Sequence, residues 1–159
     1  MKVLTCHLEK KALDFAVFTA LNLSYWLPQT ARWDTNDPET NWILSKDGRL
    51  KKYHFDSGYS RAGTWIAHAV WNPSEDWSQG GPLRDAHHID LVGFPHVFQG
   101  QILRWVKASM TDEFKFQNYV SRMGDPVDAI GPTGLVAAMR CLATAKLGLE
   151  VELPKEVLV

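Results

Sequence analysis

Residues 76–85 read DWSQGGPLRD and gather the side chains of this sequence best suited to gripping a small ligand. The indole of Trp77 offers a flat π-face on which a ring can stack. Arg84 offers a forked donor for a phosphate or carboxylate. Asp76 can accept hydrogen bonds from a sugar or base edge. Between them Gly80 and Gly81 permit positive φ, which would turn successive backbone N–H groups into a concave nest for an anion. The segment is polar and turn-rich and reads as a loop. Two readings stand side by side. Either the loop receives a flat anionic ligand, or Trp77 docks on a sheet, Asp76 caps a turn and the glycines only reverse the chain.

A second group follows at Asp85, His87, His88 and Asp90. On a strand, His88 and Asp90 project to one side, and His68 on a neighbouring strand is a third candidate. Such a trio suits a divalent metal or acid–base work. It lacks an HExxH spacing and a second carboxylate pair, so neither a metal nor a cofactor is expected. Catalytic residues are not assigned. There is no GxSxG elbow, no Walker loop and no GxGxxG fingerprint, and Cys141 falls mid-helix among apolar residues, where a thiol is normally inert. Arg140 on the same helix either points to solvent, the favoured reading, or reaches a carboxylate or ligand at the sheet edge.

These residues must be positioned by the elements around them. In residues 7–22, Leu8, Ala12, Phe15, Ala16 and Thr19 follow the helical period while Glu9, Lys10 and Asp14 fall off that face. Thr5 is the expected N-cap and Asn22 the stop. A polar stretch runs from 25 to 47, with a short strand expected within 41–45. Residues 49–55 read as an edge strand whose lysines discourage pairing, and 64–71, TWIAHAVW, as an apolar central strand. Strands are expected at 87–94 and 100–109, joined by FPHVFQ, while 110–131 reads as partly irregular. From Gly131 the pattern is clearest. Thr133 caps a helix with a broad apolar stripe, Gly148 ends it, and 149–153 forms a short strand. Strands grouped between two amphipathic helices predict an α/β (α+β) fold, an antiparallel or mixed sheet covered by the N- and C-terminal helices.

The 159 residues fit one domain, 1–159, of ordinary globular composition, 45% hydrophobic and 22% charged. Seventeen basic residues against eighteen acidic ones are dispersed and give a net charge of −1, without the basic stripe that phosphate backbones demand. A nucleic-acid partner is therefore not expected. Cys6 and Cys141 have no metal or disulfide spacing and read as buried thiols of a reducing cytoplasm. No apolar run is long enough to span a bilayer, so no membrane partner is expected and the protein reads as cytoplasmic. Seven tryptophans are many for this length, and Trp26, Trp33, Trp42 and Trp77 fall in polar segments. They either cap the core or form a stacking surface.

Three segments together, ALDFAV at 12–17, DWSQGGP at 76–82 after Asn72–Pro73, and GPTGLVAAMRCLATAKLGLEVELP at 131–154, resemble a phage-encoded family. It is the NinX-like, or phage ABA-sandwich, family, marked by an Asp-Trp-x-x-Gly-Gly-Pro segment and a Gly-Pro-Thr-Pro-Leu-x-Ala-Ala-Met-Arg helix. This sequence departs at Gly134, where a second proline is frequent, and at Leu149, where an acidic residue is common. The resemblance implies a three-layer α-β-α sandwich and a phage or prophage origin, and it supplies no reaction. With the loop chemistry, it leads to a non-catalytic accessory protein of the host cell cytoplasm. The expected ligand is small, anionic and ring-bearing, nucleotide-derived, and its capture would blunt a host defence signal. A module that binds a host or phage protein through the same tryptophans is the alternative, a metal-dependent hydrolase the third reading, and self-association into a homo-oligomer a further expectation.

Overall fold

The structure is a computed structural model that describes residues 1–23, 25, 42–56, 64–98, 101–110 and 127–158. Trp26, Trp33 and most of the two polar stretches lie outside the described residues, as do the side chains of Trp65 and His68.

The two ends of the chain meet. Strand β1 (Lys2–Leu4) pairs antiparallel with β8 (Glu150–Glu152), and the Met1 ammonium donates to Leu153 O at 2.8 Å. A 3-10 turn, Thr5–His7, leads into helix α1 (Lys10–Ala20). Thr5 is not the N-cap. It is buried in the 3-10 turn, donating through its N–H and hydroxyl to Leu149 O and accepting from Thr144 Oγ1. Glu9 occupies the cap position without a side-chain bond. Asn22, with φ of 57°, ends the helix as expected. Asp14 departs from the pattern: it is buried, and its carboxylate accepts from Ser74 N–H at 2.8 Å.

Strands β2 (Trp42–Leu44), β3 (Leu50–Asp56) and β4 (Thr64–Val70) form an antiparallel sheet in that order. The edge and centre expected for the last two are reversed. Gly48, with φ of 75°, lets the Ser45–Arg49 turn close β2 and β3 into a hairpin, which places β3 in the middle. Trp42 is on β2 rather than in a loop. With Trp71 it packs edge-on against Phe18 of α1, ring centres 5.7 and 5.6 Å away, and Trp71 Nε1 donates to Asp14 O at 2.8 Å.

The third sheet is β5 (Asp90–Phe98), β6 (Gln101–Met110) and β7 (Val127–Gly131), again antiparallel and in order. FPHV, expected as a connection, belongs to β5. Among the described residues β5 pairs only with β6, so Pro95 on an edge strand can forgo a ladder bond. Strand β7 forms at the end of the segment expected to be irregular.

Helix α3 (Gly134–Leu147) lies on this sheet and on α1. Ala137 and Ala138 are fully buried, and a methyl group at Gly131 would stand 2.7 Å from Ala137 N, so small residues permit the close approach of helix and strand. Helix α4 (Lys155–Leu158) closes the chain. The α+β class with antiparallel strands is what the structure shows. The strands are shared among three sheets, and α1 and α3 pack on each other as well as on sheets. No helix among the described residues is long and apolar enough to cross a membrane.

Candidate functional site

The segment read as a loop is a helix, α2 (Trp77–Ala86). Its start is built locally. Asp76 Oδ1 accepts from Ser78 N at 2.8 Å and from Ser78 Oγ at 2.7 Å, an N-cap that holds the carboxylate below its ordinary pKa range. Gln79 then fastens the preceding turn, donating to Val70 O and Asn72 Oδ1 and accepting from Asn72 N. With these bonds in place the helix tolerates Pro82 in its interior.

The glycines therefore do not form a nest. Among the described residues positive-φ glycines are Gly48 and Gly148, while Gly80 and Gly81 are helical. What Gly80 provides is closeness. A methyl group there would overlap the Pro73 carbonyl oxygen and lie 2.7 Å from Leu135 Cδ2 of α3. Arg84 is tied down at the other end of α2, donating from Nε to Ile89 O and from Nη1 to Asp85, both at 3.0 Å.

Trp77 is 56% exposed. A methyl group at Gly81 would lie 3.5 Å from its ring, and one at Gly134, the first residue of α3, 3.6 Å from it and 3.2 Å from Leu91 Cδ1. The ring is thus set against two glycine backbones, with more than half of it open to solvent. It is not a core plug. It forms one wall of a cleft of about 410 Å³ whose other walls include Pro132, Thr133 and Val136 at the start of α3, with Ser74, Glu75 and Lys10 around the rim and floor. Of the five expected ligand residues, Trp77 is the one that lines this cleft.

The polar groups of the cleft come from three elements. Thr133 Oγ1 accepts from Val136 N at 3.2 Å and caps α3, as its position before the apolar stripe predicts. Lys10, at the start of α1, has a φ of 48°, a left-handed conformation uncommon outside glycine. Glu9 is engaged by Arg140 Nη2 at 3.3 Å. Arg140 itself is 5% exposed rather than solvent-facing, because its Nε and Nη1 donate to Leu8 O and Ile130 O at 2.9 and 2.8 Å. It ties the entry to α1 and the end of β7 to α3. Ser74 is 2% exposed, and its Oγ is buried beside the Asp14 carboxyl. Burial pushes Asp14 up to about 6, against the N–H and hydroxyl of Ser74, which draw it down.

The histidine–carboxylate group is not assembled as a strand pair. His88 lies in the turn after α2 with φ of 49°, and Asp90 is the first residue of β5, so the alternation that would align them does not apply. Among the described residues no group of three or more His, Cys, Asp or Glu side chains is placed to hold a metal. Cys141 is buried, donates to Val127 O, and is pushed up to about 12 by burial, while Cys6 is exposed rather than buried. Thr133 and Lys10 were visible in the sequence only as a cap and a surface cation. Nothing in the spacing of Ser74 signalled the cleft.

Fold and site define an α+β protein in which two helix starts, 76–77 and 133–134, open on one cleft. The same two segments carry the resemblance seen in the sequence. The chain belongs to the bacteriophage P22 NinX family, whose family model matches residues 5–146. Among curated proteins none matches it.

Proposed function

We propose that this phage accessory protein binds a small anionic, ring-bearing ligand, nucleotide-derived in chemistry, in the cleft between Trp77 and the start of α3. The observation that carries the reading is the exposure of the Trp77 ring, which rests on the start of α3 and lines a cleft there. More than half of the indole is left open to solvent, and the cleft that it lines is large enough for a ring and one substituent. In a phage, such capture would act in the host cytoplasm and blunt a nucleotide signal. A thermal-shift screen of nucleotides and host metabolites tests this. A ligand that raises the melting temperature of the wild type and not of Trp77→Ala supports it, and a screen without any stabilisation overturns it.

A second reading has its own observation. On one face of the β5–β6–β7 sheet, Val92 is 61% and Ile130 47% exposed, with Lys107 in register between them, paired with Asp128, and Phe94 and Trp105 paired across the strands beside them. A mixed apolar and charged sheet face of this kind suits a protein partner. Loss of a stoichiometric host or phage partner on Ile130→Lys, with the Trp77→Ala protein still binding it, selects this reading over the first.

A further inference from the structure

We propose that a second cleft, which meets the first at Glu9 and Lys10, binds a small phosphate-type polyanion through the side chains of Arg49, Lys10 and His7. The proposal goes beyond the ring-binding reading and stands without it. The second cleft has a volume of about 420 Å³ and lies between the start of α1, the Ser45–Arg49 turn and α4. These segments are far apart in the sequence and are locked together. Gly48 sits so close to α4 that a methyl group there would overlap Glu156 O, and Lys11 Nζ donates to Asp47 O at 3.0 Å. The walls are therefore set by packing and not by the reach of surface side chains.

Basic side chains dominate this cleft. His7, Lys10, Lys11 and Arg49 line it against the carboxylates of Glu9 and Asp47. Both carboxylates are engaged by cations that are not part of the lining. Arg140, 5% exposed, reaches Glu9 at 3.3 Å, and Lys51 reaches Asp47 at 2.7 Å. Bonds from Lys51, from the Ser45 hydroxyl and from the Arg49 N–H hold the Asp47 carboxyl far below its ordinary range. The acids of the cleft are thus satisfied from outside it, while Lys10 and Arg49 form no ion pair among the described residues.

Arg49 is the informative member. It is half-buried, yet its guanidinium makes no hydrogen bond among the described residues. The buried Asp14 carboxyl feels its charge only through space, and more weakly than it feels Ser74 or Glu75. A guanidinium presents its N–H donors as a planar fork that matches the oxygens of phosphate, and one drawn partly out of water without an acceptor is ready for such a group. The other cations set the ligand class. A single carboxylate would answer one of them, whereas linked phosphates can meet the Arg49 fork and the Lys10 point charge together. A cleft of about 420 Å³ suits a short polyphosphate. A polynucleotide would need a basic stripe running beyond it, which the dispersed charges of this chain do not supply.

The test is calorimetric titration of the full chain with inorganic tripolyphosphate, with sulfate at matched ionic strength as the comparison anion. Tripolyphosphate should bind at least about tenfold more tightly than sulfate, because it alone can span two cations. Arg49→Gln and Lys10→Gln should each weaken it about five- to tenfold, and Arg49→Lys by less, since that change keeps the charge and loses the fork. Lys146→Gln, which removes an exposed cation of α3 outside the cleft, and Trp77→Ala should leave the affinity unchanged. Lys10 is exposed, so its variant decides the matter if the Arg49 variants melt early. Sulfate binding as tightly as tripolyphosphate, or Lys146→Gln weakening it as much as Lys10→Gln, would mean diffuse attraction to a charged surface and overturns the site. Loss of tripolyphosphate binding on Trp77→Ala would place the anion in the first cleft and overturns the second. No binding of tripolyphosphate, with a ring-bearing ligand still stabilised by Trp77, overturns this site and leaves the ring-binding reading standing.

Discussion

Helices α2 and α3 begin at the two sides of one cleft, yet they are held by different means. Helix α3 carries its own reasons to be a helix: a Thr133 cap, an apolar stripe buried from Leu135 to Ala143, and Gly148 at its end with φ of 89°. Helix α2 contains two glycines and a proline, and the one residue of it that is buried is Gly80. It exists because its surroundings hold it, through Gln79 on the preceding turn and the close seat of Gly80 on Pro73 and α3. A helix of the first kind is written along its own segment. One of the second kind is written in contacts with residues elsewhere in the chain.

The arginines give the widest contrast. Arg140 in α3 is buried and holds two backbone carbonyls and Glu9, so Arg140→Ala leaves polar groups buried without partners. A loss of about 3–5 kcal/mol in urea unfolding is expected. Arg84→Ala in α2 removes a half-exposed side chain and one bond to Ile89 O, and should cost less than about 1 kcal/mol. Comparable losses at both positions would mean that α2 is anchored from its C-terminal end, against the contrast drawn between the helices.

Legibility in the sequence follows the same divide. The α3 cap, stripe and stop were readable because each depends on neighbours within a few residues, as did the short strands at 42–44 and 150–152. The α2 helix was not, because Gly-Gly-Pro outweighs the local signal of the Asp76 cap and the close packing that seats the helix comes from Pro73 and Leu135. The reversed order of β3 and β4 has the same origin, since apolarity says that a strand is covered and not which strand covers its edge. Of the site, Trp77 was found by its isolation among polar residues. The start of α3, Ser74 and Lys10 enter it only through tertiary packing.

Glycine does opposite work in the two helices, and substitution should separate the roles. At Gly80 an added methyl meets backbone, the Pro73 carbonyl, which cannot swing aside. Gly80→Ala should cost about 3 kcal/mol and lower the affinity of the cleft by shifting Trp77. At Gly148 a methyl would meet nothing within 4 Å, and the strain is conformational, from φ of 89° and ψ of −170°. Gly148→Ala should cost about 1–2 kcal/mol and leave binding alone. Equal effects on binding would show that the cleft does not depend on the close seat of α2.

The supports also differ in what pH does to them. Arg140 remains charged throughout the working range, whereas Asp14, which holds the 73–74 turn below α2, is pushed up to about 6 by burial from an ordinary 3.8. Between about pH 4 and 6 the folded chain keeps a proton that the unfolded chain has lost. Stability from this group is thus full below that window, falls as pH rises through it, and stays lower above it by up to about 3 kcal/mol. Asp14→Asn should remove the loss, raising the melting temperature relative to wild type at pH 8 and not at pH 4. A variant less stable than wild type at pH 8 would mean that the ionised carboxylate's bond to Ser74 N–H outweighs its burial.

The substitution most informative about function is at the ring itself. Trp77→Ala deletes the largest side chain of α2, and in a core position such a change costs about 3–5 kcal/mol. Here the ring is 56% exposed and rests on glycine backbone at Gly81 and Gly134. Its contribution to folding should be about 2 kcal/mol by urea unfolding, short of a core tryptophan's, because only part of its apolar area is removed from water. If the loss stays at that size and ring-bearing ligands no longer bind, the indole is there for the cleft. A loss of core size would instead make Trp77 a clamp that holds α2 on α3, and the comparison between the two helices would then rest on that ring rather than on Gly80.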